Sequence, residues 1–165
     1  MVVITAPGVD VEPAGLAGKS RDALRLTWEE RRWTRKRVRT EAGHEIALAL
    51  PTGSRLQPGA VIAVAGDWYA VVEAREEPVI AIAPRDQDEA VRVAFDVGNR
   101  HFPLAIQDGR LLVPDDSAME QLVRRLGVAW ERCRAVFEPG DRGPVAGDGR
   151  RDGPGPLASQ GGSGA

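Results

Sequence analysis

The sequence predicts an α+β chain built in two parts. Up to residue 76, apolar residues recur at every second position between Gly and Pro turns, the spacing of half-buried strands. From residue 77, short apolar runs alternate with two segments whose apolar residues return every three to four positions, the spacing of one helix face. From Pro139 onward, Gly and Pro crowd out large apolar residues.

Residues 1–21 are rich in small residues, Pro and Gly, and are expected to be a flexible N-terminus. Leu24, Leu26 and Trp28 then share one side of a strand. The run EERRWTRKRVRT puts Trp33, Arg35, Arg37 and Arg39 on one parity and Thr34, Lys36, Val38 and Thr40 on the other, so it too is expected to be a strand. Gly43 supplies a turn before the alternating Ile46, Leu48 and Leu50. Pro51-Thr52-Gly53 and Pro58-Gly59 mark a loop, and VIAVAGDWYAVVEA gives two strands joined at Gly66-Asp67. Residues 22–76 are therefore expected to form a small all-β domain of short hairpins.

Glu76-Glu77-Pro78 breaks the pattern and is expected to mark a domain boundary. PVIAIAP is a strand. Asp86 and Glu89 have the spacing of a helix-capping pair, Ala90, Val93, Ala94 and Val97 form the apolar stripe, and Gly98 is expected to end the helix. FPLAIQ and RLLV flank Asp108-Gly109, a strong hairpin dipeptide. Ser117 and Glu120 are expected to cap a second helix, with Met119, Leu122, Val123 and Leu126 facing inward and Gly127 closing it. VAWERCRAVF is the last strand. The order βαββαβ over residues 77–138 is ferredoxin-like, with both helices on one face of a four-stranded antiparallel sheet. That fold hosts many functions, so function must come from the site. The tail, 139–165, offers only Val145 and Leu157 as sizeable apolar residues and is expected to be disordered.

The net charge of −2 gives no reason to expect nucleic-acid or membrane binding. A single cysteine, Cys133, excludes an intramolecular disulfide and is expected to be a buried thiol. Neither a secretory leader nor a run of 18 apolar residues is present, so a cytoplasmic location is expected. GxSxG, P-loop and GxGxxG motifs are missing, so the chain is not expected to be an enzyme. His44 lies at a polar turn and is expected to be solvent-exposed. His101 follows the first helix. It is either a loop histidine or a metal ligand, since imidazole is the commonest transition-metal ligand. One imidazole cannot hold an ion tightly, but a homodimer with His101 on its two-fold axis would supply two, favouring Ni, Cu or Zn over Mg or Ca. Arg31, Arg32, Arg35, Lys36, Arg37 and Arg39, with Trp33 among them, form either a solvated edge strand or a docking surface for an acidic protein. Glu29, Glu30 and Glu41 dilute that patch, and no nucleic acid is expected.

Several segments in this order resemble one family. GNRH (Gly98 to His101) is followed by Pro103-Leu104, then AIQDGRLLV, a helix ending in RRLG, and FEPG. Upstream stand LRLTWEERRWTRKRVRTEAG and IALALPTGSRLQPGAVI. Over residues 22–140 the chain resembles the UreE urease accessory family of nickel metallochaperones. The resemblance implies a first domain likened to a peptide-binding module and a ferredoxin-like metal-binding domain. It also implies a homodimer whose two chains hold Ni(II) between them through His101. The receivers it implies are the urease GTPase accessory protein and, through the accessory complex, the apo-urease. Three departures stand out. Asp96 occupies a place where many members have His. Asp115, Asp116 and Ser117 replace a His-rich cluster, and the tail has no His. A minimal carrier of about one ion per dimer is therefore expected. Asp96 and Asp115 are candidate oxygen ligands, Cu(II) or Zn(II) would compete, and Arg31, Arg32, Trp33 and Arg35 would dock a partner. The competing reading is a docking module that uses the Arg-rich domain and no metal.

Overall fold

The computed structural model describes residues 1–140. The tail expectation, from residue 141 on, lies outside the described residues.

Two three-stranded sheets build the N-terminal half. One has the order β1 (Val2–Ile4), β4 (Glu45–Ala49), β3 (Arg35–Arg39); the other has β2 (Ser20–Leu26), β6 (Trp68–Ala74), β5 (Val61–Val64). Alternation sets their inner faces: Leu24 and Leu26 of β2, Ile46 and Leu48 of β4, and Val72 of β6 are all buried together with Leu50 and Leu56. Each such side chain contributes about 1.5–3 kcal/mol by leaving water. The expected hairpins form at Gly43 (φ 89) between β3 and β4 and at Gly66-Asp67 between β5 and β6.

Two features depart from the sequence reading. Residues 1–21, read as a flexible N-terminus, carry β1, the short helix α1 (Pro13–Leu16) and the start of β2. β1 pairs parallel with β4, and β2 pairs parallel with β6. Parallel pairs need long crossovers, which local alternation cannot reveal. Likewise, the Arg-rich run is a strand only from Arg35. Glu30–Arg32 is a 3-10 turn. Its cause is a reciprocal cap: the Glu30 carboxylate accepts from the Thr27 N–H (2.8 Å), and the Thr27 hydroxyl accepts from the Glu30 N–H (3.3 Å).

The C-terminal half runs β7 (Glu76–Ala83), α2 (Gln87–Asn99), β8 (Ala105–Gln107), β9 (Arg110–Pro114), α3 (Ser117–Leu126), β10 (Ala129–Val136). Its antiparallel sheet has the order β10-β7-β9-β8, the ferredoxin-like arrangement expected. Val93 and Val97 of α2 and Met119, Leu122 and Val123 of α3 pack on Ile80, Ile82, Leu111 and Val113 of the sheet. Asp86 caps α2 by accepting from the Glu89 N–H (2.8 Å). Asp116, not Ser117, caps α3, accepting from the Ala118 N–H (2.7 Å). Asp108 (φ 50) and Gly109 (φ 74) are both left-handed, as a two-residue hairpin turn between β8 and β9 requires.

Glu76-Glu77-Pro78 does not interrupt the strand pattern, because β7 begins at Glu76. Arg75 alone separates β6 from β7. Its N–H donates to Leu26 O (2.9 Å), and its guanidinium holds both oxygens of Glu30 (2.9 and 2.8 Å). The halves also meet where the Trp28 N–H donates to the Glu77 carboxylate (2.8 Å) and where Trp28 lies edge-on to Phe137, 5.9 Å between centroids. Buried Arg31 donates to Phe137 O (2.9 Å) and pairs with Glu138 (3.3 Å).

Candidate metal site

Helix α2 runs through Gly98 to Asn99 with Arg100 as its C-cap, so Gly98 does not end it. The left-handed position beyond the cap belongs to His101, with φ 58. The His101 N–H donates to Gly98 O (2.9 Å) and the Phe102 N–H to Val97 O (3.3 Å). These are the paired bonds of a Schellman helix end, in which His101 occupies the place glycine normally takes. Phe102 and Val97 pack in the same apolar cluster, the contact that accompanies this motif. A left-handed non-glycine residue costs roughly 1 kcal/mol or more. The backbone thus sets the direction of the His101 Cα–Cβ bond, at an exposed turn.

Around it, one chain does not complete a metal site. Among the described residues, no group of three or more His, Cys, Asp and Glu side chains comes together. Asp96 lies on α2, five residues before His101, half-buried and without an ion pair among the described residues. Asp115 follows β9 and is engaged by Arg132 (3.1 Å). Arg132 also holds Glu120, and hydrogen bonds from Arg124 and then Arg132 keep that carboxyl below its ordinary value. The donors that chemistry allows at His101 are therefore one imidazole per chain and, nearby in sequence, one carboxylate.

What surrounds His101 suits an interface. Val91 and Phe95 lie one turn apart on α2, 61% and 67% exposed, and form an apolar stripe on the helix that ends at His101. Sequence reading missed this stripe because the inward residues alone satisfied the helical pattern. On the other side, His101, Phe102, Pro103 and Leu104 line a groove of about 550 Å³ whose opposite wall is Trp28, Arg32 and Arg55 of the N-terminal half.

The expected docking residues separate. Arg31 is 4% exposed and is not available on the surface, because the 3-10 turn directs it into the junction with Phe137. Arg32 is exposed, with its guanidinium 4.9 Å from the Trp28 ring centroid. Trp33 packs against the N-terminal core, with Lys36 over its ring (5.1 Å). Arg35 is exposed on β3. His44 is not the free turn residue expected. It stacks on Trp68 (4.0 Å between centroids) and its Nδ1 meets the buried Asp22 carboxylate at 2.8 Å. Burial pushes the Asp22 carboxyl up. Hydrogen bonds from His44, Thr40 and the Ala42 and Ala23 N–H groups outweigh it and hold the group below its usual value. Cys133 is half-buried on β10.

Comparison with known proteins decides the family. Residues 7–75 match the model of the UreE urease accessory protein N-terminal domain, and residues 77–155 that of the C-terminal domain. The chain belongs to the UreE urease accessory protein family. A urease accessory protein UreE from Synechococcus sp. (strain JA-3-3Ab) is 42% identical over 115 residues, covering 69% of this chain and 76% of the relative. The UreE of Deinococcus radiodurans is 40% identical over 112 residues, 68% of this chain and 72% of the relative. That of Rhodobacter capsulatus is 34% identical over 129 residues, 78% of this chain and 80% of the relative. The UreE family is one of accessory proteins rather than enzymes, and its two domain models meet at the Arg75 joint. Among the described residues, no helix is long and apolar enough to cross a membrane.

Proposed function

We propose that this chain carries Ni(II) for urease assembly in the cytoplasm, as a homodimer that holds the ion between the His101 imidazoles of its two chains. The observation that carries this reading is His101 in the left-handed C′ position. A histidine with a strained backbone stands where glycine would be free, at the end of a helix that presents exposed Val91 and Phe95. That stripe would cover the two-fold contact and bring the two turns together. Membership of a urease accessory family supports the destination.

The sparse ligand set suits a carrier. Two imidazoles leave most nickel positions to water, so a receiver with more donors can take the ion. Asp96 supplies a further oxygen donor more readily than Asp115, whose carboxylate Arg132 already engages. Cu(II) should bind more tightly than Ni(II), and Zn(II) should compete, because affinity at nitrogen sites follows that order. The receivers are the urease GTPase accessory protein and, through its complex, apo-urease. The test is a calorimetric Ni(II) titration of wild type and His101→Ala, with light scattering to fix the oligomer. The reading expects about one ion per two chains, lost in the variant while the dimer persists. Unchanged binding in the variant would sink it.

A further inference from the structure

Strand β3 is an edge of the β1-β4-β3 sheet, and its register with β4 fixes which way each residue faces. The Leu50 N–H donates to Thr34 O (2.8 Å) and the Thr40 N–H to His44 O (3.0 Å). Even-numbered residues along β3 therefore turn their backbone groups toward β4. Arg35, Arg37 and Arg39 turn their N–H and C=O groups the other way, along the free edge. Among the described residues, no hydrogen bond reaches the backbone groups that Arg35 and Arg37 present there.

The side chains of the same residues lie together on the outer face, opposite in parity to buried Val38. Their cross-strand neighbours decide the charge balance. Arg39 stands opposite Glu45 and pairs with it (2.5 Å). Arg37 stands opposite Ala47 and Arg35 opposite Ala49, so neither guanidinium has an acid across the strand. Neither has an ion pair elsewhere among the described residues. Exposed Lys36 adds another cation to this edge, with its ammonium over the Trp33 ring (5.1 Å). Opposite charges across a strand pair stabilise it and like charges repel. The arginines thus reject a second copy of β3, while an acidic strand meets no such repulsion.

We propose that β3 docks an acidic segment of a partner protein by strand addition, the segment lying along the free edge as the next strand of the sheet. Its backbone bonds to the N–H and C=O groups of Arg35 and Arg37. Asp or Glu side chains at alternate positions meet the two guanidiniums on the outer face. The backbone bonds set the register, and charge complementarity selects the partner. A nucleic acid would satisfy the guanidiniums but not the backbone donors and acceptors at strand spacing. This goes beyond the carrier reading, since the edge belongs to the half of the chain that does not hold His101.

The test uses the whole chain and a fluorescein-labelled synthetic decapeptide that alternates Glu and Thr, followed by anisotropy. Binding should weaken about tenfold or more in Arg37→Glu. It should weaken less than about threefold in Arg39→Ala, because Glu45 already meets that charge. It should also fall as salt rises. Two further peptides carry N-methyl groups on the Glu amides or on the Thr amides. One of the two should no longer bind, because only one set of amides faces β3. Four results would overturn the proposal: equal binding of the Gln version of the peptide, undiminished binding in Arg37→Glu, undiminished binding of both N-methylated peptides, or full displacement by an equal concentration of a single-stranded oligonucleotide. His101→Ala should bind the peptide as wild type does, so failure of this edge and failure of the carrier reading show in separate titrations.

Discussion

Replacing His101 by glycine should remove the metal ligand and relax the chain in one step. At φ 58 the histidine backbone sits in the left-handed region, which costs a non-glycine residue about 1–2 kcal/mol. Glycine removes that cost but gives back about 0.5–1 kcal/mol through the freedom it adds to the unfolded chain. Alanine removes the imidazole and keeps the strain. His101→Gly should therefore be more stable than His101→Ala by about 1 kcal/mol. In urea unfolding that is a midpoint difference of about 0.5 M for a slope near 2 kcal/mol/M. In thermal unfolding it is about 2–4 °C. Both variants should lose nickel. If alanine proved as stable as glycine, the left-handed backbone would not be strained and the argument from strain to function would fail. If glycine retained nickel binding, His101 would not be the ligand.

Further outcomes follow from the same geometry. Arg31→Met should lose about 2 kcal/mol in urea unfolding, because Phe137 O is left without its buried donor. Asp116→Ala should cost about 1 kcal/mol and Ser117→Ala only a few tenths, since the cap is the aspartate; equal costs would contradict that. The Asp22 carboxyl is held below its ordinary value, so its contribution is full above the unfolded value near 3.9 and fades as pH falls through the folded one. Asp22→Asn should accordingly flatten the loss of stability as pH falls below about 4, read as urea midpoints measured above and below that pH. An unchanged slope would deny the role of the His44–Asp22 contact.

Much of this was legible in sequence because the signals are local. Asp108-Gly109 specifies its turn, Asp86 its cap, and the alternation of Ile46, Leu48 and Leu50 one buried face. What escaped depends on distant partners. Val2–Ile4 is too short to declare itself and exists by pairing with β4. Arg31 looks like its exposed neighbours until the Thr27–Glu30 cap tightens the chain and buries it. Gly98 looked like the residue just past a helix end because glycine favours that place, but the helix runs on to Asn99, Arg100 caps it, and the left-handed place falls to a histidine that does not favour it. His101 was visible as a candidate; its left-handed backbone, the stripe of Val91 and Phe95 and the wall of Trp28 and Arg55 were not, since they come from the helix end, the outer helix face and the domain junction.

The single-residue joint at Arg75 has a mechanical consequence. A chain pulled from both ends lengthens only by releasing slack, and one residue stores less than about 4 Å of it. Unfolding a half of some 60 residues would release about 200 Å. Under load, the two halves can therefore part while folded only by hinging about Arg75, and further extension proceeds in long steps as one half yields.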